Sequence, residues 1–127
     1  MSNALLVQSF SNGFVDGATY YLAPLGAGIN SVTVTGEIEI PIRDAGTFSN
    51  LFVYAPTNTA SVSSTITLHK SRVDTALTVT YEADQTGIKE DTANSVAFAA
   101  TDEAQWEITI PAEAGTNTLT LTLIGCQ

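Results

Sequence analysis

The sequence predicts an all-β domain, an antiparallel β-sandwich or jelly roll of about 8–9 strands. Nineteen threonines and ten serines make up nearly a quarter of the 127 residues, and threonine favours strands because its branched Cβ restricts χ1 in a helix. Runs of alternating apolar and polar residues recur with turn residues between them, which is typical of short strands in two packed sheets. No segment shows a sustained helical period.

Each strand candidate is an alternating or apolar run that ends at glycine, proline or a polar cluster. In residues 30–43, Gly36 interrupts the alternation as a β-bulge would, and Pro41 predicts an edge position because proline cannot donate to a ladder. Residues 105–111 follow helix-forming residues, yet their alternation favours a strand, and residues 84–92 are a candidate for a single helical turn. The predicted strands span residues 4–10, 17–24, 30–43, 47–56, 61–70, 76–83, 94–100, 105–111 and 117–125.

The chain length predicts one sandwich domain, over residues 31–127, preceded by a segment of different character. Residues 1–30 contain glycines, two adjacent tyrosines and a proline, with weak periodicity. Two interpretations fit this segment equally: an extended N-terminal arm that lies over a neighbouring subunit, or an ordinary edge strand with long loops.

The charge composition argues against two classes of partner. The chain has thirteen acidic residues and four basic ones, which gives a net charge of -9. Nucleic-acid binding needs lysine and arginine for phosphate contacts, and adhesion to an anionic membrane needs them as well. The acidity either keeps the protein soluble or forms a face for a basic partner or for cations.

The sequence also indicates a protein made in a reducing cytosol. Cys126 is the single cysteine, so no disulfide within the chain is expected. The opening residues lack the basic and long apolar regions of a signal peptide, and no apolar run approaches the ~20 residues of a membrane span.

Residues able to carry catalysis are few. His69 is the only histidine, and we expect it at a surface or interface because it lies in an alternating strand. A catalytic Cys126–His69 pair would need a third orienting group and an activating environment, and a cysteine near the chain end is a poor candidate for it. Glu37 and Glu39 share one face of a predicted strand, where solvated carboxylates are expected rather than the acid pair of a small hydrolase. The loop acids are expected to be solvated or to hold a structural cation. We therefore predict no enzyme activity, no cofactor, and no catalytic or metal residues.

Part of the chain resembles a pattern found in tailed-bacteriophage virion proteins. The similar residues are DTALTVTY (74–81), QTG (85–87), DTANSVAFAA (91–100) and TDEAQWEIT (101–109), within a region that begins at residue 65. The turn in such sequences commonly reads Gly-Asp, whereas here it reads Thr101-Asp102. The shared residues build turns and strands, so the resemblance implies no functional residues.

The resemblance implies a homotrimeric jelly roll with a tumour-necrosis-factor-like build. Such domains serve as capsid decoration (cement) proteins, and also as head spikes or parts of tail fibres and baseplates. For a single-domain chain we expect a decoration protein that trimerises on the capsid surface and binds the major capsid protein; the alternative is a receptor- or glycan-binding domain. The apolar and aromatic side chains expected at subunit or capsid interfaces are Leu5, Leu6, Phe10, Phe14, Tyr20, Tyr21 and Trp106, although Trp106 alternates with Ile108 and Ile110 and fits a core position equally.

Overall fold

The computed structural model describes residues 6–27 and 38–127, and within these ranges the chain is all-β. Every regular element there is a strand, and no helix in them is long and apolar enough to cross a membrane. The eleven strands in these ranges are β1 (Leu6–Val15), β2 (Ala18–Leu22), β3 (Gly26–Ala27), β4 (Ile40–Pro41), β5 (Gly46–Ala55), β6 (Thr57–Asn58), β7 (Ser64–Lys70), β8 (Val73–Tyr81), β9 (Gly87–Phe98), β10 (Glu103–Ile110) and β11 (Thr118–Cys126).

The strands form two sheets that pack face to face. Sheet I has the order β3-β1-β11-β5-β9, with β6 also paired to β11, and sheet II has the order β2-β10-β7-β8, with β4 also paired to β10. All pairs are antiparallel except the short parallel contact between β1 and β3. The predicted antiparallel sandwich is confirmed.

The connectivity is that of a jelly roll. Eight of the strands are five residues or longer. Among these eight, the first pairs with the last, the second with the seventh, the third with the sixth, and the fourth with the fifth. A chain paired in this way is one long hairpin rolled across two sheets, which is the double Greek key of the jelly roll.

The core lies between the sheets and is filled from alternating positions. In β10 the even-numbered residues, from Ala104 to Ile110, are buried, and Trp106 among them is fully buried. Tyr81 reaches across this core, because its hydroxyl oxygen lies 3.0 Å from the Val53 carbonyl oxygen and 2.8 Å from that of Gly87 in the opposite sheet. The period of two seen in the sequence is therefore the period of side chains entering the core.

The N-terminal strands belong to this same sandwich. β1 pairs with β11 in sheet I and β2 pairs with β10 in sheet II, so residues 6–27 contribute strands to both sheets. In the described residues, β1 has only the two-residue β3 on its other side and β2 ends its sheet. An arm reaching a neighbouring subunit stays a prediction.

Two local expectations are corrected. Residues 84–92 form no helical turn; a hydrogen-bonded turn at residues 83–84 leads into β9, which begins at Gly87. The expected strand over residues 30–43 lies partly outside the described residues, and its described end holds only the short β4. Pro41 in β4 pairs with Glu103, on the same edge of β10 as β2 and beyond the end of β2.

Candidate functional sites

The predicted interface residues fall into three groups. Leu6, Phe14 and Trp106 are at most 4 % exposed and contribute to the core, so in this chain their side chains are not available to a partner. Tyr20 and Tyr21 are half-buried on β2; Tyr20 packs its ring edge-on to Phe14. Phe10 lies within β1, and Leu5 lies outside the described residues.

An apolar surface that the sequence analysis missed covers the outward side of sheet I. Ile88, Tyr54 and Leu123 stand directly opposite one another on β9, β5 and β11. Ile88 is 67 % exposed, Tyr54 is 42 % exposed, and Leu123 is half-buried. Facing residues on neighbouring antiparallel strands lie on the same side of a sheet, so these three side chains form a continuous row.

A second row lies beside the first and extends it. Phe52 on β5 pairs with Gly125 on β11, which pairs with Val7 on β1. A Cβ atom at Gly125 would lie 2.7 Å from Phe52 Cζ and 3.2 Å from Val7 Cγ2. A side chain at position 125 would therefore force the Phe52 ring to move from its place across the strand. We call Val7, Phe52, Tyr54, Ile88 and Leu123 the sheet I apolar face.

A shallow polar depression borders this face. Its lining includes Asn50, Glu90, Thr92 and Gln127 beside the Phe52 ring. Asn50 has a φ of 52° and lies at a β-bulge in the β5–β9 pairing. The bulge changes the direction of the strand locally and places Asn50 in the lining of the depression. Hydrogen-bonding groups beside a half-buried aromatic ring can hold a polar ligand such as a sugar.

On the outward side of sheet II, His69 and two carboxylates form a cluster of three titratable side chains. The His69 Nε2 atom lies 2.7 Å from Asp74 Oδ1 and 2.8 Å from Glu107 Oε2. His69 on β7 pairs in register with Asp74 on β8, across the two-residue turn at Ser71 and Arg72. Glu107 is on β10 and reaches His69 diagonally, since its own partner on β7 is Thr67.

The other ring nitrogen of His69 is held from the opposite side. Gln105 stands directly opposite His69 on β10, and its side-chain nitrogen lies 3.1 Å from His69 Nδ1. An amide that donates to Nδ1 leaves the imidazole hydrogen on Nε2, where two carboxylate oxygens face that one hydrogen. The ring is also tilted against the Tyr21 ring, with centroids 5.6 Å apart.

These groups lie in a partly desolvated setting. The side chain of His69 is 5 % exposed and that of Glu107 is 16 % exposed, whereas Asp74 is 68 % exposed. Burial raises the pKa of Glu107, with the His69 ring opposing the rise and the Asp74 carboxylate adding to it. His69 was expected at a surface or interface, and the structure places it on the outward side of its sheet but covered by its neighbours.

The remaining acids are structural where the structure shows their contacts. Glu39 was expected to be solvated, which is wrong: its side chain is 2 % exposed and accepts a hydrogen bond from Arg72 at 3.0 Å. Asp91 is buried, which raises its pKa, but hydrogen bonds from Asn94, Ala93 and Thr78 outweigh that effect and lower it.

Among the turn acids, Asp102 closes the turn after β9. It accepts a hydrogen bond from the Ala99 amide, which together with the Lys70 ammonium 3.1 Å away lowers the pKa of Asp102.

Cys126 and His69 are not brought together. Cys126 is buried on the inner side of sheet I, and burial raises the pKa of its thiol to about 12. His69 is on the outward side of sheet II, so the core separates the two side chains. A thiol held in this protonated form is a weak nucleophile.

No family model matches the chain, and no curated protein matches it significantly.

Proposed function

We propose that this chain is a non-enzymatic structural protein of a tailed-phage virion, a capsid decoration protein that trimerises and binds junctions between major capsid proteins. The observation that carries the proposal is the sheet I apolar face, which presents two rows of apolar side chains to solvent. A contiguous exposed apolar patch marks an interaction site, and aromatic residues such as Tyr54 and Phe52 are enriched in the centres of interfaces.

The jelly roll supports this role because its sheets offer broad, rigid surfaces. The sheet I apolar face spans four neighbouring strands, from β1 to β9, and strands hold their side chains at fixed spacing. A standard interface buries about 1,600 Å² in total. Contacts of that size, repeated around a shell, would stabilise the shell against internal pressure, although the net free energy of each contact is modest after the entropic cost of association.

The location on a capsid rests on the sequence resemblance of residues 65–109. In the fold this region runs through β7, β8, β9 and β10, which contribute to both sheets and carry Ile88 of the apolar face. The net charge of -9 supports solubility of the free subunits before they assemble.

The proposal is tested by placing a charge on the face. Ile88→Lys replaces the most exposed apolar side chain of the face, and burying its ammonium at an apolar contact should weaken association by about 2 kcal/mol or more. The matched control is Val73→Lys, because Val73 is 65 % exposed but lies at the turn of sheet II.

Two measurements follow from these variants. Light scattering should give a trimer for the wild type and Val73→Lys, and smaller species for Ile88→Lys. Co-sedimentation with capsids should show saturation at hundreds of copies per particle for the wild type and Val73→Lys only. Equal assembly and equal capsid binding by all three proteins would contradict the proposal.

A second candidate function is favoured by the polar depression beside Phe52. Exposed aromatic rings stack on sugars, and the amide and carboxylate groups of Asn50, Gln127 and Glu90 could bind hydroxyls. A glycan-binding domain of a tail fibre, head spike or baseplate would show a hit on a glycan array that Phe52→Ala abolishes. Trp106 does not serve this function, because it is buried.

A further inference from the structure

We propose that His69, Asp74 and Glu107 form a site for a divalent transition-metal ion such as Zn²⁺, on the outward side of sheet II. The ligands would be the Nε2 atom of the imidazole and one oxygen from each carboxylate. All three ligand atoms lie within 4.8 Å of one another. This site is independent of the sheet I apolar face and of the proposed virion role.

The number and kind of donor atoms favour a metal over a purely hydrogen-bonded cluster. Asp74 Oδ1 and Glu107 Oε2 both face the one nitrogen Nε2, and a neutral imidazole has a single hydrogen to offer them. A cation placed among the three atoms is bound by all of them at once. The two carboxylates also neutralise the charge of a divalent ion, and the imidazole adds a third, neutral ligand.

The spacing fits a small ion after a modest adjustment. Zinc binds nitrogen and oxygen ligands at about 2.0–2.2 Å in tetrahedral geometry, which separates neighbouring ligand atoms by roughly 3.3 Å. The two contacts to Nε2, at 2.7 and 2.8 Å, need to widen by about half an ångström. Asp74 is 68 % exposed and can make that movement, while Glu107 is held more firmly in the sheet.

The surroundings supply what a metal-binding histidine needs. When Nε2 binds a metal, Nδ1 carries the hydrogen and requires an acceptor. The side-chain amide of Gln105 is already in place at 3.1 Å, and a half-turn of that amide presents its oxygen to Nδ1. The Tyr21 ring packs against the imidazole and fixes its plane.

The donor set predicts selectivity. Ca²⁺ and Mg²⁺ prefer six or more oxygen ligands, whereas imidazole suits zinc and its neighbours. Three protein ligands leave one tetrahedral position, and the exposed side of Asp74 gives it access to water. We therefore expect Zn²⁺ to bind with one water, and Ca²⁺ or Mg²⁺ not to compete.

The test uses the full chain without a histidine tag, stripped with a chelator and titrated with Zn²⁺. Because His69 is the only histidine, nitrogen NMR reports one imidazole, and its Nε2 resonance should shift to the metal-bound range at one equivalent. Titration calorimetry should give one site per chain. Asp74→Asn and Glu107→Gln, which keep shape, should each weaken binding by roughly 100-fold or more, beyond the 10–100-fold typical of outer-sphere partners.

Asp84→Asn is the control, since it removes the same charge from an exposed position in the turn before β9. It should bind Zn²⁺ like the wild type, and fluorescence of the buried Trp106 should verify folding of every variant. An imidazole spectrum unchanged by Zn²⁺ would overturn the proposal. So would equal affinity in Asp74→Asn and Glu107→Gln, or loss of the shift when Mg²⁺ is added at equal concentration.

Discussion

Tyr81→Phe removes a hydroxyl that links the two sheets while leaving the packing of the ring in place. Tyr81 ends β8 in sheet II and is fully buried. Its oxygen contacts the carbonyl oxygens of Val53 and Gly87, both in sheet I. The substitution therefore leaves the core volume almost unchanged and takes away one donor shared by a buried and a half-buried carbonyl acceptor.

The contacts of the Tyr81 hydroxyl set the size of the expected loss in the free energy of unfolding. A hydrogen bond contributes about 1 kcal/mol net, and a buried acceptor left without its donor costs about 1–3 kcal/mol. One hydrogen serves both carbonyls here, and a strand carbonyl keeps a second lone pair for its ladder. We expect the free energy of unfolding at pH 7 to fall by about 1–2 kcal/mol, and Tm to fall by roughly 3–10 °C.

The pH dependence gives a second, independent readout. Burial raises the pKa of Tyr81 from 10.0 to about 12, so between these values the folded chain keeps a proton that the unfolded chain has released. The stability contributed by this group is full below pH 10 and is lost as the pH rises toward 12. The slope is at most about 1.4 kcal/mol per pH unit, and Tyr81→Phe should lack it.

Urea unfolding followed by Trp106 fluorescence measures both effects. The control is Tyr54→Phe, because the Tyr54 side chain is 42 % exposed and its hydroxyl should contribute less than about 0.5 kcal/mol. The reasoning fails if Tyr81→Phe unfolds like the wild type at pH 7. It also fails if both proteins lose stability equally between pH 10 and 12.

Three further predictions concern single positions. Thr101 has a φ of 76°, so Thr101→Gly should raise the free energy of unfolding by about 0.5–1 kcal/mol. Glycine relieves the strain of the left-handed conformation but adds conformational entropy to the unfolded chain, and the difference between the two effects is the expected gain. Thr101→Ala keeps the strain and should not raise the Tm of thermal unfolding. Asp91→Asn should lower the free energy of unfolding by about 1–3 kcal/mol at pH 7. Because the pKa of Asp91 is lowered in the folded state, the wild type's advantage should vanish as the pH falls through that pKa, and an advantage that persists in acid would contradict this assignment. The Cys126 thiol is buried, with its pKa raised to about 12, so a thiol reagent should react only as fast as the chain opens, and rapid labelling of the native protein would show that the β11 end is not packed as described.

Alternation predicted the strands best where one face enters the core. In Ser64–Lys70 and Glu103–Ile110 the buried apolar residues recur at every second position, so the hydrophobic effect imposes the pattern directly. The first half of β9 escaped prediction because Lys89, Glu90 and Asp91 have weak strand propensity. Pairing with β5, from Gly46 to Ala55, provides its ladder of hydrogen bonds, and that pairing has no local signature.

The two candidate sites were predictable to different degrees. His69 and Asp74 face each other because Ser71 and Arg72 form a two-residue turn with positive φ at both positions, so recognising that turn would have paired them. Glu107 joins them only through the strand order of sheet II. The sheet I apolar face was missed because its rows cross strands that are distant in sequence, whereas the predicted interface residues Leu6, Phe14 and Trp106 are apolar for the ordinary reason that they fill the core.

The central claim is that the outward side of sheet I holds copies of this chain together, and sedimentation equilibrium tests it most directly. The tag-free protein should sediment at three times the 13.3 kDa mass of the chain, and Ile88→Lys should shift the population toward the single-chain mass. A wild-type protein that remains at 13.3 kDa at every concentration would contradict the claim.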